Sequence, residues 1–173
     1  MDEIRTDRPS LYDEDVVAWA EQQAAALRAL GARPDLSNTL DWDNIIEEVE
    51  DVGRSQIRTL EGTLQAMLVH VLKYMSAPRA QSVRSWRAEI IAFHATARRR
   101  YTRSMRQRID WDGLWRDSKA VAAAELAVWG DELATGLPDR SPFTPEELVA
   151  EDFTLDGALL RLASILQNPN DHH

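Results

Sequence analysis

The groups best placed to do chemistry lie along one stretch, Leu40 to Tyr74, LDWDNIIEEVEDVGRSQIRTLEGTLQAMLVHVLKY. It carries Glu47, Glu48, Glu50, Asp51, Glu61, His70 and Lys73, and Trp86 and His94 follow a short way on. Carboxylates and imidazoles at helical spacing are the raw material of acid–base pairs and of the Glu and Glu-x-x-His metal sites of helical bundles. The spacing here argues against a metal. The positions three and four before His70 hold Met67 and Ala66, and those before His94 hold Ile91 and Ile90. Glu61, His70 and His94 are the only set that would suit zinc or iron in a metal-dependent hydrolase, and the register expected below separates the two histidines along the helix axis. Gly-rich phosphate loops and the G-x-S-x-G and H-E-x-x-H motifs are absent from the sequence. We therefore expect no catalytic residue, no metal and no cofactor. Glu50 and Glu61 read as edge carboxylates paired with arginines, and the histidines as hydrogen-bonded core residues. Glu47, Glu50, Asp51, Glu61, His70, Lys73, Trp86 and His94 form the candidate functional face.

These groups need a scaffold, and the pattern supplies helices. Ile46, Val49, Gly53, Ile57, Leu60, Leu64, Met67, Leu68, Val71 and Met75 recur at intervals of three and four, the stripe of one long amphipathic helix. Asp41 is its N-cap, and it ends near Ser76, ahead of Pro78. A first helix is predicted over 12–30, with Asp13 to Asp15 at its N-terminal dipole and Gly31 as its stop. The next runs from Ser82 to about Arg108 with an inner face of Trp86, Ile90, Phe93, Ala97, Tyr101 and Met105. A fourth spans 112–133, with Leu114, Trp115, Ala122, Val128 and Trp129 as core candidates. Thr144-Pro145-Glu146-Glu147 is a capping box with proline at N1 that starts a short helix to about Glu151. A last helix covers 155–167.

No alternating strand pattern is visible. The fold expected is all-α, a four- to six-helix bundle built on two long antiparallel helices, 40–75 and 82–108. In that packing, residues whose numbers sum to roughly 158 meet: Glu61 faces Arg98 or His94, Glu50 faces Arg108, and His70 lies near Arg87. At least one of Glu50 and Glu61 should then be buried against an arginine of 84–108. Mid-helix Gly53 marks a close crossing under Trp42 or Trp86, and the six tryptophans read as wedges between helices. One domain is expected over 12–167, between a flexible tail at 1–11 and a frayed one at 168–173.

Charge is layered. Residues 1–61 carry a balance of −9, residues 62–108 a balance of +9 with Glu89 the single acid, and residues 109–173 again −9, for a net −9. An acidic chain is a poor general partner for nucleic acid. The arginine-rich segment 79–108 still offers candidate anion contacts at Arg87, Arg98, Arg99, Arg100 and Arg103, with Arg79 and Arg84 beside them, and these make a nucleic-acid-associated protein the first alternative. Cysteine is absent, which suits a reducing cytoplasm. Neither a signal peptide nor a bilayer-length apolar run is visible. The expectation is a cytoplasmic, non-enzymatic interaction module with an unknown protein partner or a second copy of itself, and no membrane.

Three blocks together carry a resemblance: YDEDVVAWAEQQAAALRA at 12–29, LDWDNIIEEVEDVGRSQIRTLEG followed by HVLKY at 40–74, and VRSWRAEI at 83–90, trailed by SPFTPEELVAEDF at 141–153. Over 12–153 the chain resembles the bacterial family catalogued as domain of unknown function 29, widespread in cyanobacteria and proteobacteria. The resemblance implies an all-helical fold and brings no established activity. Its hallmark positions fall on Asp13, Asp15, Trp19, Leu40, Asp41, Trp42, Glu47, Glu48, Glu50, Asp51, Gly53, His70, Lys73, Ser85 and Trp86. The helix IDWDGLWRDSKAVAAAELAVW and the segment after Phe153 depart from the family pattern, so contacts made there do not follow from it.

Overall fold

The computed structural model describes residues 10–36 and 40–167; of the tails expected at 1–11 and 168–173, residues 1–9 and 168–173 lie outside them, whereas Ser10 and Leu11 are described, as the N-cap and first residue of a short helix. Seven α-helices and one 3-10 helix make up the described chain: α1 (Leu11–Glu14), α2 (Val16–Gly31), α3 (Trp42–Ser76), α4 (Val83–Arg100), the 3-10 helix (Arg103–Gln107), α5 (Trp111–Val128), α6 (Pro145–Val149) and α7 (Leu155–Gln167). No strand occurs among the described residues, and no described helix is long and apolar enough to cross a membrane. The chain divides into two compact units, Met1–Arg58 with Thr102–Arg108, and Thr59–Tyr101 with Ile109–His173.

In the first unit the helix expected over 12–30 is broken. Asp15 leaves helical geometry, and its carboxylate accepts from the Ala18 N–H at 3.0 Å, so it caps α2 in place of continuing α1. Oxygens of the same carboxylate accept from Thr102 Oγ1 at 3.0 Å, Ser104 Oγ at 2.6 Å and Ser104 N–H at 3.2 Å. Burial pushes this carboxyl up, but the Ser104 hydroxyl and the other donors outweigh it and hold it below its ordinary value. Val17, Ala20 and Ala24 bury the inner face of α2. Gly53 does mark a close approach, but the residues across from it are Val17 and Ala20; a Cβ there would meet Ala20 Cβ at 3.5 Å. Trp42 packs instead on Gly31, where a Cβ would lie 3.1 Å from the indole.

The second unit is built on the C-terminal half of α3, whose Leu60, Leu64, Met67, Leu68, Val71 and Leu72 are buried. A short link brings α4 back along it: His70 meets Glu89, and Lys73 lies 4.8 Å from the Trp86 ring. Both pairs fit antiparallel packing one residue from the expected register. α4 ends at Arg100, not Arg108, because Tyr101 turns to extended geometry and its hydroxyl donates to Glu146 at 2.9 Å. Its 18 residues are matched by the 18 of α5, so α3, at 35, is the one exceptional helix.

α5 also stops earlier than expected. Gly130 adopts φ +79°, with Gly130 N–H donating to Ala127 and Asp131 N–H to Leu126, a Schellman closure. Leu114, Trp115 and Ala122 are core residues as expected, but Val128 and Trp129 are 76% and 78% exposed. Trp115 is fully buried, and its indole N–H donates to the Pro138 carbonyl at 2.8 Å. The capping box at Thr144 forms as the sequence predicts, but α6 closes at Val149, two residues short of the expected end.

Candidate functional site

In the second unit, His70 and Lys73 rise one turn apart from α3 toward α4 and α5. His70 is nearly buried. Its Nδ1 lies 2.7 Å from the Ala66 carbonyl and its Nε2 faces the Glu89 carboxylate, whose other oxygen accepts from Ser85 Oγ at 2.9 Å. Both ring nitrogens thus face oxygen atoms. The serine donates to the glutamate and not to the histidine, so the trio is not ordered as a serine–histidine–acid triad. Lys73 is 8% exposed; its ammonium pairs with Glu125 of α5 and lies over Trp86. Glu89, not Arg87, is therefore the partner of His70. These polar groups tie α3 to α4 and α5.

The other expected pairings are redistributed. Glu50 accepts from Arg28 and lies 3.5 Å from Arg54, while Arg108 turns to Glu21. The Arg28 guanidinium lowers the Glu50 carboxyl, and Arg54, 2.8 Å away, lowers Asp51. Arg54 also donates to the Glu47 carbonyl at 3.3 Å. Asp43, Ile46, Glu47 and Glu50 line an open cleft of about 410 Å³ with Arg28 and Arg54. Of its acids Glu50 is the one paired with both arginines, and it is part-exposed rather than buried against an arginine of 84–108. Glu61 is half-buried in the second unit. Arg103 belongs to the first unit, so it does not continue the α4 face. Among the described residues, no three His, Asp or Glu side chains converge to hold a metal.

His94 occupies a different place from His70. Its Nε2 donates to the Ala150 carbonyl at 2.9 Å and its ring stacks on Phe153 at 4.9 Å. It lies in a cleft of about 360 Å³ between α4 and the α6–α7 connection, with Arg87, Ile91 and Arg98 on one side and Glu151, Phe153 and Asp156 on the other. Arg87, Ile91, His94 and Arg98 follow spacings of four, three and four, one face of α4. Ile91 is 63% exposed. Arg87 reaches Asp156 at 3.4 Å and Arg98 reaches Glu151 at 3.7 Å, both as solvent-exposed pairs. Pairs of that kind contribute about 0–1 kcal/mol, so they leave the guanidinium groups open to a better partner. Beside them Arg84, Arg99 and Arg100 are exposed, and Arg99 makes only a 3.4 Å contact with Thr96.

The outer surface of α4 is therefore an apolar strip of Ala88, Ile91 and Ala95 between arginines at both ends. Ile91 and Phe153 were not singled out from sequence. The strip's place on the outer side of α4 is shown by exposure, since Ala88, Ile91 and Ala95 are all open to solvent while Trp86, Ile90 and Ala97 are buried.

The chain is thus an all-α protein in which polar residues tie α3 to α4 and α5 and a cation-flanked apolar strip lies on α4. It belongs to the family described as domain of unknown function DUF29, whose family model matches residues 11–154. Among solved structures, an alpha-helical protein of unknown function from Rhodospirillum rubrum, determined at 1.45 Å resolution, is similar at TM-score 0.80 and 35% sequence identity, covering 90% of this chain and 99% of that one. No curated protein matches the chain.

Proposed function

We propose that this protein is a non-enzymatic interaction module, acting in the cytoplasm, and that it docks its partner on the outer face of α4. One observation carries the reading: Ile91, 63% exposed, sits between arginines whose own ion pairs are long and solvent-exposed. An acidic segment with an apolar centre matches that surface, since desolvating an exposed isoleucine contributes affinity while the flanking charges steer and orient the partner.

Nucleic acid is the competing occupant. The apolar strip favours protein, because a phosphate backbone offers nothing to Ile91, and the ring in the cleft beside these arginines, Phe153, is already stacked on His94. The test is an anisotropy titration with two labelled probes, a helical peptide of pattern acid–apolar–acid and a duplex of about 20 base pairs. The peptide should bind and should lose binding to an Arg87→Glu/Ile91→Asp/Arg98→Glu variant. Duplex binding should be weak and gone by about 150–200 mM salt, as for a few non-specific phosphate contacts. Tight duplex binding that survives that salt and falls in an Arg98→Ala/Arg99→Ala/Arg100→Ala variant would replace the proposal with the nucleic-acid reading.

A further inference from the structure

We infer that the segment docking on α4 is the outer face of α5 from a second copy of the chain; this rests on the α4 docking reading and names its occupant. α5 buries Leu114, Trp115, Ser118, Ala122 and Leu126. Its opposite face, turned by about 100° per residue, carries Ala120, Val121, Ala124 and Val128, and all four are exposed. Val121 is 38% and Val128 76% exposed. Among the described residues nothing covers this strip.

Charge decides what covers it. Asp117 lies at one end of the α5 strip and Glu132 follows the other, and both are exposed without an ion-pair partner among the described residues. α4 shows the inverse, arginines at both ends of Ala88, Ile91 and Ala95. Arg87 and Arg98 are separated by eleven positions, or about 16 Å of helix, and the helical part of the α5 strip, Asp117 to Val128, has the same length, with Glu132 beyond the helix end. The two apolar strips are therefore of similar length, each with its own sign of charge at or just beyond its ends.

Symmetry then permits two such contacts. Lys73 touches Trp86 of α4 and Glu125 of α5, so the two helices flank the same stretch of α3. A two-fold axis that lays α5 of one copy on α4 of the other repeats the contact in reverse, the isologous arrangement of most homodimers. Two helices of 18 residues are each about 27 Å long. With contacts about 10 Å wide, they give a footprint toward the small end of stable interfaces, and hence a reversible dimer.

Sedimentation equilibrium of the full chain tests this, with charge reversal as the discriminating step. The wild-type chain should show a concentration-dependent monomer–dimer equilibrium. Arg87→Glu/Arg98→Glu and Asp117→Arg/Glu132→Arg should each weaken it by about 100-fold or more, since like charges then face each other. The chain carrying all four changes should dimerise again, because the complementarity is restored with its sign inverted, and helical circular dichroism of each variant checks that it is folded. A wild-type chain that stays monomeric to several hundred micromolar, or dimerisation indifferent to either reversal, overturns the inference. If the chain is monomeric yet still binds the acidic peptide probe through α4, only the second-copy inference falls. If it is monomeric and the probe does not bind either, the docking reading falls with it.

Discussion

Lys73 offers an asymmetric test of how the second unit is held together. Its side chain is 10% exposed, whereas that of its partner Glu125 is 47% exposed, and the Trp86 ring lies 4.8 Å from the ammonium. Glu125→Gln leaves a buried cation with a neutral neighbour. Breaking a fully buried pair costs about 3–5 kcal/mol; solvent around Glu125 screens this one, so about 1–2 kcal/mol is expected. For a chain of this size that corresponds to about 3–6 °C in Tm. Lys73→Met instead removes the charge together with its desolvation, and it keeps an unbranched stem against Trp86. Glu125 is then free to hydrate, so the cost should stay below about 1 kcal/mol. Urea denaturation of the two single variants and the double variant closes a cycle. The expected result is Glu125→Gln less stable than Lys73→Met, with a coupling of about 1 kcal/mol. Lys73→Met as the more damaging change, or no coupling, would refute the assignment of Lys73 as a cation held by Glu125.

Two further outcomes follow from single contacts. Glu147 is held down to about 2, first by the Arg161 hydrogen bond and then by the Thr144 N–H. A depressed carboxyl stabilises the fold above its unfolded value and loses that contribution as pH falls from about 4.5 toward 2. The pair is 43% exposed on both sides, so after screening about 1 kcal/mol should be at stake; Glu147→Gln should flatten the acid limb of a stability–pH curve by that amount. Gly62 sits in mid-helix with nothing within 4 Å of where a Cβ would lie. Gly62→Ala should therefore raise stability by about 0.5–1 kcal/mol in a thermal melt, whereas an unchanged or lower Tm would mean that α3 is not a continuous helix there.

Much of the fold was legible because its signals are local. The α3 stripe, the Asp41 start, the Thr144 capping box and the span of α7 each depend on residues within a few turns of one another. The breaks were not legible, because each is decided at long range. Asp15 leaves the first helix for hydroxyls at Thr102 and Ser104, 87 and 89 residues away, and Tyr101 leaves α4 for Glu146, 45 residues on. Trp129 misled for a different reason. Its size reads as core, but the Gly130 closure ends α5 before the tryptophan reaches the buried side.

The candidate site shows the same division, and the layered charge explains where it falls. In the first unit, the acids at the start of α3 find Arg28, Arg54 and Arg58 close by, and Arg108 finds Glu21. The basic segment has no such internal answer. Its single acid, Glu89, is engaged by His70 and Ser85 and by none of the arginines on its own helix. Among the described residues Glu151 and Asp156 approach them, in solvent-exposed pairs. A register two residues away would have put Arg87 beside His70. With Glu89 in that place the segment's one acid is taken by His70 and Ser85, and α4 keeps both its weakly paired arginines and the uncovered Ile91 between them.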